Sequence, residues 1–273
     1  MEWKGTGVSK MTKTLILTPN ETEMCGMYQL AKDLAKELNG FVVTKQTYLG
    51  DIQLKQFDEV ITFLYPMHNL GKKAKQKFNA KWICYDQKIP PTTKLYFPNF
   101  FRRQYMKVFT WLNNRSMKDA DEYWDVTERE QKPRWTEKIG LTPEIVKRYG
   151  SKGINLLKDY YIYTGRTTNY KNFYKLKSLM QELKITLVHP ENESDEVIHA
   201  LLSHAKLFVS MSLWEGFGRG VMEMEALRNP AVAYDVGTHK RHIKKGICVP
   251  LDVNNIKKSE KEFKEAVLEV WNR

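Results

Sequence analysis

The segment Glu215-Gly216-Phe217-Gly218-Arg219-Gly220, followed by Glu223, carries the residue types and spacing that point most sharply to chemistry. Glycines at 216, 218 and 220 let a ligand approach the main chain closely, because no Cβ intervenes. The segment follows the apolar run Leu207–Met211 and opens a helical pattern over Gly220–Arg228. A helix start offers unpaired N–H groups and the positive end of a dipole, both suited to phosphate. Glu223 is expected in the first turn or so of that helix. A carboxylate there can accept two hydrogen bonds from a vicinal diol such as a ribose, as acidic residues do in dinucleotide folds. Glu215 is expected to face the ligand from the loop. A glycine before a helix is often only a turn, so the motif needs its surroundings to carry weight.

The elements that must position these residues alternate along the chain. Thr14–Thr18 reads as a short apolar strand, and Met27–Leu38 carries apolar residues at Met27, Leu30, Ala31, Leu34, Ala35 and Leu38, the stripe of an amphipathic helix. Asn39-Gly40 stops that helix. Strands are expected at Phe41–Thr44, Val60–Tyr65 and Trp82–Tyr85. Pro90–Trp111 reads as irregular and aromatic-rich, and Lys118–Gly150 as largely helical and charged. The composition shifts near Tyr149–Asn155, which places the domain boundary there, with domains 1–154 and 155–273. The alternation then restarts: strands at Asp159–Thr164, Ile185–His189, Leu207–Met211 and Ala231–Tyr234, with helices at Asn172–Leu183, Ser194–His204, Gly220–Arg228 and Glu260–Trp271. Strand, helix and strand at this spacing predict α/β architecture with parallel sheets.

Lys plus Arg total 44 against 32 Asp plus Glu, a net charge of +12. That excess favours an anionic partner (a nucleotide, a nucleic acid or an anionic membrane surface), although solvated lysines would give the same count. The three cysteines, Cys25, Cys84 and Cys248, are far apart and lack Cys-x-x-Cys spacing. A disulfide framework or zinc site is therefore not expected, and a cytoplasmic setting fits. Apolar runs are too short to span a bilayer, and Met1–Met11 lacks the apolar core of a signal peptide.

Glu215-Gly-Phe-Gly-x-x-x-x-Glu223, with Pro230 and an apolar strand beyond it, resembles the signature of retaining family 4 glycosyltransferases of the GT-B fold. The resemblance implies two Rossmann-like domains whose parallel sheets face each other across a cleft. It implies that Glu215 faces the donor sugar, that Glu223 holds the nucleotide ribose, and that the backbone of Gly216, Phe217, Gly218 and Gly220 lies against sugar or diphosphate. The sequence departs from the family at Arg219-Gly220, Met224-Glu225 and Arg228, leaving both carboxylates in place. Tyr163-Thr164-Gly165-Arg166, followed by Lys171, resembles the segment whose Arg and Lys clamp the diphosphate. An Arg supplies a bidentate fork and a Lys a point charge. Thr18–Met27 resembles the glycine-rich first loop, of whose glycine pair only Gly26 survives. Where the family has a His after a middle strand, Trp82–Pro90 offers Asp86 or Tyr85 instead, and His68 in Tyr65–Asn69 is a further catalytic candidate. The final helix resembles one that crosses back to the first domain.

The activity implied is transfer of a sugar from a nucleotide-sugar to an acceptor hydroxyl, with retention and without a metal or cofactor. The acceptor stays open: a glycan, a lipid or a glycoprotein. Lys72-Lys73-Ala74-Lys75-Gln76-Lys77, Arg102-Arg103 and Lys107 make the first half basic and flanked by aromatics. Such a surface suits peripheral contact with an anionic membrane, or a nucleic acid. Two rivals stand beside the transferase: a non-catalytic nucleic-acid- or membrane-binding protein on an eroded GT-B fold, and another Rossmann-like enzyme such as a sugar-nucleotide epimerase.

Overall fold

The computed structural model describes residues 12–19, 26–44, 47–48, 50, 54–86, 89, 91, 93, 96, 98–125 and 132–272. Contacts divide the chain into two compact units, one of residues up to 88 plus 105–128, the other of 89–104 plus 129–273. The composition shift at Tyr149–Asn155 lies inside the second unit. There Ile145, Tyr149 and Leu156 are buried in the same core as Ile162 and Leu201.

The first unit holds β1 (Thr14–Thr18), α1 (Gly26–Leu38), β2 (Phe41–Thr44), β3 (Glu59–Phe63), α2 (Met67–Phe78), β4 (Lys81–Asp86) and β5 (Glu122–Asp125). Its strands are parallel, in the order β2-β1-β3-β4-β5. The five residues of β1 are all buried, as a central parallel strand requires. The stripe of α1 behaves as its spacing predicts, with Leu30, Ala31 and Leu34 buried. Asn39 takes the left-handed conformation (φ 50°) and ends the helix. At Gly71, α2 presses on β4 so tightly that a Cβ would stand 2.1 Å from Trp82 Nε1.

The second unit holds α4 (Pro143–Ser151), β6 (Tyr161–Ile162), α5 (Phe173–Glu182), β7 (Leu187–Val188), α6 (Asp195–His204), β8 (Leu207–Ser210), α7 (Arg219–Ala226), β9 (Ala231–Tyr234), α8 (His239–His242), β10 (Gly246–Val249) and α9 (Ile256–Trp271). Its sheet is parallel in the order β10-β9-β8-β6-β7. Side-chain caps start three helices: Thr142 Oγ1 accepts from Ile145 N at 3.4 Å, Ser194 Oγ from Val197 N at 3.4 Å, and Asn255 Oδ1 from Lys258 N at 3.2 Å. The buried face of α9 packs on strands of its own unit, with Phe263 against Tyr234 (5.2 Å between rings) and Trp271 against Tyr161 (5.1 Å).

Two expectations for the middle of the chain are corrected. The helix α3, Phe100–Met117, begins inside the stretch read as irregular, Pro90–Trp111, and runs six residues past its end. It buries only Asn113 and Met117 and leaves most of its apolar residues exposed, so no inward apolar stripe marks it. Within the stretch read as helical, Glu122–Asp125 is a strand and 132–142 is irregular, and among the described residues from 118 onward the helix starts only at Pro143 and runs to Ser151. Charged composition reports exposure there, not helix.

Candidate active site in the second unit

Strand order fixes where a ligand site can form. After β6 the chain moves outward to β7, then returns to β8 on the other side of β6. Loops leaving the carboxyl ends of β6 and β8 therefore part in opposite directions, which opens a crevice at such a switch point. The loop after β6 carries Gly165, Arg166 and Lys171, and the loop after β8 carries Glu215–Gly218.

The two loops are tied together. Leu213 N donates to Tyr170 O at 2.7 Å, and Lys171 Nζ stands 2.5 Å from Glu215 Oε1. These side chains are only 12% and 14% exposed, so the pair is poorly screened. Burial pushes the Glu215 carboxyl upward, but Lys171, aided by His239, outweighs it and leaves the pKa below the ordinary value of 4.5. Arg166 is exposed and reaches Tyr170 OH from Nη2 at 3.2 Å. Its carbonyl accepts from Tyr163 OH at 2.9 Å, which shapes the turn that presents the guanidinium.

The glycines serve different ends. Gly218 caps α7 in the left-handed conformation (φ 66°), and a Cβ there would lie 2.4 Å from His239 Cδ2. A Cβ on Gly220 would lie 2.6 Å from Phe208 Cζ and 2.9 Å from Thr164 Oγ1. Gly220 thus lets α7 pack directly on the strands, whereas the sequence suggested close approach of a ligand. The helix begins at Arg219, one residue earlier than expected, so Glu223 lies in its second turn.

A third loop, after β9, completes the arrangement and was not singled out from sequence. A Cβ on Gly237 would lie 2.7 Å from Glu215 O and 2.9 Å from Gly216 O. Thr238 Oγ1 donates to Phe217 O, and Phe217 packs edge-on against His242. His239 is buried, and its Nδ1–H donates to Tyr234 O at 2.8 Å, which leaves the proton off Nε2 on the side facing Gly218. Burial lowers its pKa, against the pull of Glu215. The signal available in the sequence was the Gly237-Thr238-His239 turn after an apolar strand.

Glu223 is 1% exposed and is not solitary. Arg134 Nε lies 2.6 Å from its Oε1, and Arg219 Nε lies 3.9 Å from the same oxygen. Arg134 also pairs with Asp195 at 2.5 Å and lies over the Trp135 ring at 4.0 Å. Nothing in the sequence pattern announced Arg134, which stands 89 positions away in an irregular segment.

The candidates of the first unit are placed separately. Asp86 ends β4 beside Asp125 of β5 in register. Gly26 is the first residue of α1, and the loop before it, residues 20–25, lies outside the described residues. His68 corrects an expectation: it belongs to the first turn of α2, not to a loop, and is wholly buried. Its Nδ1 lies 2.8 Å from Thr62 Oγ1 and 3.4 Å from Cys84 Sγ, and burial lowers its pKa to about 4. A group so enclosed packs the core and has no surface to offer a substrate. Among the described residues no group of three His, Cys, Asp or Glu is placed to hold a metal ion.

Two Rossmann-like parallel-sheet units, the second with loops parting at a switch point, define an α/β protein of the GT-B class. Solved structures of glycosyltransferases match it over 95% of the chain. WaaG, a glycosyltransferase involved in lipopolysaccharide biosynthesis, matches with a TM-score of 0.62 at 10% identity, over 95% of this chain and 90% of that one. Sucrose-phosphate synthase from Thermosynechococcus elongatus matches at 0.58 and 13%, over 95% and 94%. HepE of Anabaena, in complex with UDP-glucose, matches at 0.53 and 11%, over 95% and 91%. Residues 164–270, all within the second unit, match the family described as Glycosyl transferases group 1. No curated protein sequence matches the chain.

Proposed function

We propose that the chain transfers a sugar from a nucleotide-sugar to an acceptor hydroxyl, with the donor held at the carboxyl ends of β6 and β8. The observation that carries this reading is the convergence of Lys171, Glu215 and the start of α7 within the region that matches the glycosyltransferase family. In the reaction, the bond from the anomeric carbon to the diphosphate oxygen breaks and negative charge grows on the leaving nucleoside diphosphate. Lys171, Arg166 and the first N–H groups of α7 are cations and dipoles suited to that charge. Lys171 is already ordered by Glu215, so little rearrangement is needed to present it.

Glu215 is assigned to the donor sugar and Glu223 to the nucleotide ribose. Arg134 and Arg219 both address Oε1 of Glu223, and the proposal gives Oε2 to the ribose hydroxyls. Retention at the anomeric carbon and independence from a metal follow the resemblance of the Glu215–Glu223 segment. HepE is described with UDP-glucose, which makes uridine nucleotides the first donors to try. The test is to incubate the protein with UDP-, GDP- and ADP-sugars and assay nucleoside diphosphate release. Release from one donor class, lost in Lys171→Ala, supports the assignment. An epimerised donor with no diphosphate released contradicts it.

A further inference from the structure

The helix α3 is built inside out. Stepped at 3.6 residues per turn, Phe101, Tyr105, Val108 and Trp111 fall on one side, opposite the buried Asn113 and Met117. That side faces solvent: Phe101 is 81% exposed, Tyr105 65%, Val108 57% and Trp111 56%. Scattered exposed apolar residues are ordinary, but a contiguous aromatic stripe along a helix marks a surface meant to be covered.

The polar residues of the helix say by what. Phe100–Met117 contains Arg102, Arg103, Lys107 and Arg115 and no Asp or Glu. Arg102, Lys107 and Arg115 are exposed, and Arg115 lies over the Trp111 ring at 5.1 Å, so cation and aromatic are presented together. The basic run of α2 differs, because Lys72 and Lys75 are engaged by Asp119 and Asp121 at 2.5 and 2.6 Å. A second copy would bring the same cations against this face in a chain of net charge +12, which opposes self-association. An anionic bilayer fits both features: Trp, Tyr and Phe favour the headgroup boundary, and cations beside them meet acidic lipid.

We propose that the outward face of α3 is a docking surface for an anionic lipid bilayer, with the helix lying in the plane of the interface. This inference does not depend on the transferase reading. Sedimentation of the full chain with phosphatidylcholine vesicles, with and without phosphatidylglycerol, tests it without any assay of transfer. The expected result is partition onto the anionic vesicles alone, abolished in Phe101→Ser/Tyr105→Ser/Trp111→Ser, and weakened about fivefold for each cation replaced in Arg102→Gln and Lys107→Gln. All substituted side chains are exposed, and an unchanged Tm establishes that each variant is folded. Absence of partition by the native chain overturns the proposal, as does partition that the aromatic variant retains. Dimerisation through the stripe without vesicle binding overturns it in favour of a second copy.

Discussion

Lys171 Nζ and Glu215 Oε1 stand 2.5 Å apart in a setting where both side chains are more than four-fifths covered. Removing one member of such a pair leaves an uncompensated charge and costs roughly 3–5 kcal/mol, whereas replacing both with apolar residues costs far less. Urea denaturation should therefore show Lys171→Met less stable than the double variant Lys171→Met/Glu215→Leu, and both should lose diphosphate release. A simple sum of the two single losses would mean the pair does not interact.

The pair also has a pH signature. The folded pKa of Glu215 lies below its ordinary 4.5, so its contribution to stability is complete above that value and is lost as pH falls through the folded value. His68 acts in the same direction in a higher window. Its pKa falls from 6.5 to about 4 on folding, so the native state resists the proton that the unfolded chain takes up. Stability should drop by up to about 3 kcal/mol between neutral pH and pH 4 from this group. Denaturation midpoints measured across that range should fall less steeply in His68→Gln than in the native protein.

Arg134→Ala should destabilise the second unit, by no more than roughly 3–5 kcal/mol, because Arg219 remains 3.9 Å from the buried Glu223 carboxylate. The same substitution should alter nucleotide affinity more than it alters turnover, since among its partners Glu223, Asp195 and Trp135 only Glu223 is assigned to the donor, and to its ribose. A kinetic split with KM unchanged and kcat reduced would place Arg134 in a different role.

Gly220→Ala should overpack the contact between α7 and the strands, costing about 1–3 kcal/mol, because Phe208 Cζ and Thr164 Oγ1 already occupy the space a Cβ needs. Gly218→Ala faces both a left-handed backbone and the His239 ring. Thermal unfolding should rank both variants below the native protein.

Much of this arrangement was legible in the residues. Short apolar runs located β1, β2 and most strands of the second unit, because parallel strands are covered on both faces, and the period-3.6 stripe located α1, which buries one face. Ala231–Tyr234 was read to its exact ends, bounded as it is by Pro230 and Asp235. The α3 helix escaped because its apolar stripe faces outward, so the pattern that normally reports a core reports a surface instead. Glu122–Asp125 escaped because a four-residue edge strand, only partly buried, carries charge where a buried strand carries valine. In the site, Glu215 and Lys171 were visible as types at a spacing, but their contact was not. Arg134 depends on tertiary placement alone, and no local pattern announces a partner 89 positions distant. His68 shows the reverse failure: a titratable residue read as part of a loop after a strand proved to be core.

The second unit is proposed to bind a nucleotide-sugar through its diphosphate and ribose, and calorimetric titration tests that binding most directly. UDP, GDP and ADP, with their sugar conjugates, would be titrated into the native protein and into Glu223→Gln, which keeps the size of the side chain. One nucleotide class should bind the native protein, and the variant should bind it at least about tenfold more weakly, the loss expected for a charge-assisted hydrogen bond. Absence of binding by every nucleotide at millimolar concentration, or equal affinity in the two proteins, would contradict the assignment.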